Sequence, residues 1–89
     1  MRFTAEVKVM LKEGISDPQG QTIERALPAL GYEGVGEVRV GKRIELKLDA
    51  GDIDEARAKV EDMCNRLLAN TVIESFQVEV SSISEVEVS

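Results

Sequence analysis

Four groups of residues in this 89-residue chain have types that could do chemistry. The first is Cys64, the single cysteine. A reactive thiolate needs a cation beside it to lower its pKa. Cys64 instead sits among Val60, Met63, Leu67 and Leu68, which reads as a buried structural thiol. The second is an acidic knot of Asp49, Asp52, Asp54 and Glu55. Its spacing does not match a calcium loop, and acids at a helix start are favourable without a metal. The third is the set Gly31, Gly34, Gly36 and Gly41. No Gly-Lys-Ser/Thr follows them, so they read as turn glycines rather than a phosphate loop. The fourth is the basic group Arg39, Lys42 and Arg43, either a solvated turn or a contact for an acidic surface or phosphate. Histidine is missing altogether. With it goes the usual general base near neutral pH and the commonest metal ligand.

The elements that must position these groups are legible from periodicity. Phe3, Ala5, Val7, Val9 and Leu11 alternate with Thr4, Glu6 and Lys8, which predicts a half-buried strand. A glycine turn at Gly14 follows. Asp17 then caps a first helix, with Pro18 suited to its first turn. Ile23, Ala26, Leu27 and Leu30 form its apolar stripe, and Gly31 is its left-handed stop. Pro28 removes one backbone bond and should kink or tighten the last turn. Val38, Val40, Ile44, Leu46 and Leu48 share a face. They fit either a hairpin with the three-residue loop Gly41-Lys42-Arg43 or one long strand bent at Gly41.

A second helix starts at Asp52, with Glu55 completing a box-like cap. Ala56, Val60, Met63, Cys64, Leu67 and Leu68 give its stripe, and Asn70 its stop. Phe76, Val78 and Val80 mark the last core strand. The expected fold is an α+β two-layer sandwich, a relative of the ferredoxin-like β-α-β-β-α-β plan. It has a mainly antiparallel sheet and two helices on one face. Residues 1–80 form one domain, and residues 81–89 a tail or extra edge strand. Glu6, Lys8, Arg39, Glu45 and Lys47 give the second sheet face a balanced polar surface, free for solvent or another subunit.

Composition narrows the partners. The net charge is −6, from 17 acids and 11 bases. That excess argues against nucleic acid and against an anionic membrane surface. One cysteine excludes an internal disulfide framework. No run is long enough for a membrane span and the N-terminus lacks a signal-peptide core, so the cytoplasm is expected. A chain this short has a thin core, which self-association would supplement.

Five stretches in order carry a resemblance. They are Val7-Lys8-Val9-Met10-Leu11-Lys12-Glu13-Gly14, Asp17-Pro18-Gln19-Gly20, Ala29-Leu30-Gly31-Tyr32, Val38-Arg39-Val40-Gly41-Lys42 and Cys64-Asn65-Arg66-Leu67-Leu68-Ala69-Asn70. Together they resemble the PurS family, the small subunit of phosphoribosylformylglycinamidine (FGAM) synthase in purine biosynthesis. The resemblance covers the first 80 residues or so.

The resemblance implies a non-catalytic subunit that bridges a PurQ-like glutaminase and a PurL-like synthetase and forms homodimers or homotetramers. It implies no cofactor in this chain, with ATP and Mg used by the complex. The complex converts formylglycinamide ribonucleotide, ATP and glutamine to the amidine. No catalytic residues are carried over. Asp17, Gln19, Gly20 and Tyr32, from the family motifs, and Arg39, Lys42 and Arg43, from the basic turn, are the candidate partner-interface residues. Two other classes compete. A ligand-binding regulatory domain of ferredoxin-like type would bind a metabolite saturably. A stand-alone enzyme would lose activity on changing Cys64 or Asp52.

Overall fold

The central strand β1, Arg2–Leu11, holds the molecule together. In this computed structural model residues 1–83 are described. Phe3, Ala5, Val7 and Val9 are at most 1% exposed, as alternation requires of a strand covered on one face. β1 pairs antiparallel on both sides, with β2 (Gly41–Asp49) and with β3 (Glu74–Ser82), giving the order β2-β1-β3. Both neighbours place apolar residues opposite the buried ones. Leu48, Leu46 and Ile44 face Phe3, Ala5 and Val7 from β2. Val80, Val78 and Phe76 face Ala5, Val7 and Val9 from β3.

The helix α2, Ile53–Met63, covers this face over β3 and β1. The Asp52 carboxylate accepts the Glu55 amide at 2.7 Å, and Glu55 in turn accepts the Gly51 amide at 2.7 Å. One orphan donor of the first turn and the amide just before the cap are satisfied by two acids, so the acidic knot is in part a cap. Ala56, Val60 and Cys64, one turn apart, are fully buried against the sheet. Next comes a π turn, Cys64–Leu68. The Ala69 amide donates to the Cys64 carbonyl at 3.0 Å, five residues back. The wider turn shifts the helical register. Leu67, expected in the buried stripe, is therefore 83% exposed, while Leu68 packs against the core.

The first helix departs further from expectation. α1, Pro18–Ala26, continues into a 3-10 turn, Leu27–Leu30, ended by Gly31 at φ 94°. The tightening falls where Pro28 demands it, and glycine supplies the left-handed stop. Yet α1 contacts its own 3-10 turn and makes no more than marginal contact with the sheet. Of its residues only Gly20 is buried. The longest dimension of the molecule is 50 Å and its radius of gyration 17.3 Å, against about 12 Å for a compact chain of this length.

The middle of the chain forms neither a hairpin nor a long bent strand. Val38 to Val40 have no strand pairing, and a single strand begins at Gly41. The backbone of Val38 and Val40 is instead taken up by side chains of α1 and its cap, as described below. Arg39 accordingly lies off the polar sheet face. Of the expected tail, Ser81 and Ser82 belong to β3, and the Ile83 amide donates to the Arg2 carbonyl at 2.9 Å. Residues 84–89 lie outside the described residues.

Candidate interaction surfaces

Asp17 is the best-anchored of the candidate residues. One of its oxygens accepts the Gly20 amide at 2.9 Å, and the other the Val40 amide at 2.8 Å. These two amides, Gly20 first, hold its carboxyl below the usual carboxylate range. Gly20 is where the backbone of Val38 comes closest. A Cβ there would run into the Val38 carbonyl oxygen, so only glycine fits without displacement. One turn on, the Glu24 carboxylate accepts the Val38 amide at 3.1 Å. The Arg39 guanidinium donates to the Leu11 carbonyl. Entry to and exit from α1 are thus tied to each other by two carboxylates and one close approach.

The structure groups the candidates unevenly. Asp17, Gln19 and Lys42 line one cleft of about 390 Å³ at the end of the sheet, together with Leu11 and Glu74. Gly20 and Arg39 adjoin it through the bonds just described. Arg43 lies on the polar sheet face, where it lines a separate cleft with Lys8, Lys42 and Gln77. Tyr32 stands apart, past the far end of α1, and is 60% exposed.

The polar face has its own logic. Glu45, Glu6 and Glu79 lie directly opposite one another across the three strands, an unfavourable row of like charges. The Arg43 guanidinium in the next row reaches both Glu6, at 2.6 Å, and Glu45, at 2.7 Å. Its hydrogen bond to Glu6 lowers that carboxyl's pKa and raises its own. Arg43 is therefore committed to neutralising the sheet. Lys42 forms no ion pair among the described residues and is the freer cation for a partner.

Sequence reasoning missed Glu24 and the turn after α2. Glu24 stands four residues after Gly20, hence on the same helix face, which is the signal that pairs them. In the turn, Glu74 accepts the Asn70 amide at 2.7 Å and Asn70 accepts the Val72 amide at 3.2 Å. This frame holds Val72 out, 80% exposed, near the exposed Leu67 in sequence. No pattern in the chain marks Leu67 for exposure, because the π turn that exposes it is set by packing.

Cys64 is fully buried and free, and burial raises its thiol pKa. The described residues contain no group of three or more His, Cys, Asp or Glu placed to hold a metal. No helix among them is long and apolar enough to cross a membrane.

Residues 4–82 match the family model PurS, phosphoribosylformylglycinamidine (FGAM) synthase. The chain belongs to the PurS family. Its relatives agree along nearly its whole length. The phosphoribosylformylglycinamidine synthase subunit PurS of Synechocystis is 41% identical over 81 residues, 91% of this chain and 81% of the relative. The crystal structure of PurS from Methanocaldococcus jannaschii superposes with a TM-score of 0.81 at 38% identity, covering 92% of this chain and 99% of that one. That protein is described as one of the subunits of formylglycinamide ribonucleotide amidotransferase in the purine biosynthetic pathway. A chain of the PurLQS structure from Thermotoga maritima superposes with a TM-score of 0.82 at 32% identity, covering 91% of this chain and 99% of that one. The five stretches that carried the resemblance all lie within residues 4–82 of this PurS-family chain.

Proposed function

We propose that this chain is the assembly subunit of an FGAM synthase, acting in purine biosynthesis by holding a glutaminase subunit beside an ATP-dependent synthetase subunit. The single observation that carries the reading is the match over 91% of the chain to a structure of PurL, PurQ and PurS together. The chemistry of the chain is consistent with it. The candidate residues with the most definite bonding, Asp17 and Arg43, hold backbone and neutralise carboxylates. Neither leaves a free base or nucleophile. Glutamine hydrolysis and ATP-dependent activation belong in this reading to the two larger partners, with Mg accompanying ATP there. The free surfaces available for bridging are the cleft with Gln19 and Lys42 and the exposed Leu67 and Val72. The cytoplasm, where purine precursors and ATP meet, is the compartment this function requires.

Reconstitution tests it. The glutaminase and synthetase subunits are assayed for amidine formation with and without this chain, once with glutamine and once with ammonium. The chain restores the glutamine-dependent rate and leaves the ammonium-dependent rate nearly unchanged. A glutamine-dependent rate that is the same in its absence overturns the reading.

A further inference from the structure

Among the described residues the two most exposed large hydrophobic side chains, Leu67 and Val72, stand in one connection, between α2 and β3. Their exposure is built in. Cys64 and Ala69, on either side of Leu67, are buried, and the bond from the Ala69 amide to the Cys64 carbonyl fixes the π turn between them. The Asn70 carbonyl accepts the amides of Ile73 and Glu74, at 3.0 and 2.7 Å, while its side chain accepts that of Val72. The Lys12 amide donates to the Ile73 carbonyl at 2.8 Å and ties the connection to the end of β1. The backbone carrying both side chains is therefore bonded on each side of them. A π turn within a helix is rare and recurs at functional sites, and this one turns a leucine outward. Apolar anchors already held in place lose little freedom on binding, which gives such residues their weight in a contact.

Charge says what kind of surface they meet. The charged residues from Glu61 to Glu74 are Glu61, Asp62, Arg66 and Glu74. Arg66 is paired with Asp62 at 3.5 Å, and neither Glu61 nor Glu74 has an ion pair among the described residues. The neighbouring groups cancel: Lys12 against Glu13 at the end of β1, and Lys42 against Asp17 in the cleft that Glu74 also lines. The apolar pair thus lies in an acidic setting. A second copy, itself of net charge −6, would bring the same acids across a two-fold axis, and like charges set together oppose the contact. The occupant that fits is a different protein.

We infer that the connection between α2 and β3 is this chain's contact with the synthetase subunit, Leu67 and Val72 entering an apolar socket bordered by Lys and Arg. The inference rests on the synthase reading. Of the two larger partners the synthetase handles ATP and a ribonucleotide, so it carries cations for phosphates and a positive field that steers an acidic surface. The glutaminase takes a zwitterion and needs no such field.

The test uses the full chain with the purified synthetase and glutaminase, in the presence of Mg-ATP and glutamine. Leu67→Ala and Val72→Ala each weaken binding to the synthetase by about tenfold. The circular dichroism and the mass of the chain alone stay as in wild type, because both side chains already face solvent. A photo-cross-linker then names the partner. Thr71→Cys, at an exposed position beside Val72, takes a benzophenone maleimide that the buried Cys64 does not, and irradiation of the complex joins the chain to the synthetase. Wild-type affinity in both alanine variants overturns the inference and leaves the synthase reading standing. So do adducts to the glutaminase or to a second copy, or a chain whose own mass changes with the alanines. A wild-type chain that binds neither subunit and does not restore the glutamine-dependent rate overturns both.

Discussion

Asp17 joins a helix cap and a long-range tie in one carboxylate, and its ionisation makes the joint pH-dependent. Its pKa in the fold is depressed below the usual 3.8 by the Gly20 and Val40 amides. The stability it confers is therefore complete above 3.8 and is lost as pH falls through the folded value. Thermal melts of wild type and Asp17→Ala should differ near pH 7 and converge at low pH. A gap that persists unchanged to pH 2 would exclude an ionic role. At Gly20 the constraint is steric. Gly20→Ala must push back the Val38 carbonyl and should cost about 1–3 kcal/mol, read by denaturant unfolding. Cys64 tests the core. The buried thiol should resist alkylation in the native protein, and Cys64→Ser should destabilise by about 1–3 kcal/mol as a hydroxyl enters an apolar site. The cap role of Asp17 was legible because Asp before Pro at a helix start has one local meaning. Its second partner was not, since Val40 is 23 residues away and no periodicity encodes that distance.

Among the elements, the strands were the most readable because a buried face leaves its period in the sequence. β1 shows this at every alternate residue from Phe3 to Val9. The failures share a cause. Val38 and Val40 continue the apolar spacing of β2, yet their amides are claimed by Glu24 and Asp17, so tertiary bonding overrides pattern. Leu67 continues the stripe of α2, yet the π turn at Cys64–Leu68 rotates it outward. The contrast has a measurable form. Leu67→Ala should change stability by no more than about 0.5 kcal/mol, whereas Val60→Ala, emptying space beneath a fully buried position, should cost about 2 kcal/mol or more. Urea midpoints of the two variants decide this. Equal losses would mean that Leu67 is buried and the register continuous. On the polar face, Arg43→Ala removes the cation shared by Glu6 and Glu45, leaving Lys8 at 3.7 Å to compensate Glu6 alone. It should lower the melting temperature at low ionic strength, and added salt should shrink the deficit.

At the scale of the molecule, composition foretold a thin aliphatic core, and among the described residues ten hydrophobic side chains are buried and no polar or charged one is. It did not foretell the shape. An apolar stripe on a helix is legible, but whether the same chain covers it is not, and in α1 Ile23 stays 42% exposed, with Leu30 of the following turn at 72%. Tyr32, just beyond that helix, has a practical consequence. The chain has one tyrosine and no tryptophan, and the tyrosine lies outside the core at 60% exposure. Its intrinsic fluorescence is therefore silent about melting of the sheet. The same emission is a native beacon for the far end of α1 and its 3-10 turn: its anisotropy and quenching by iodide report a partner docking there without any label.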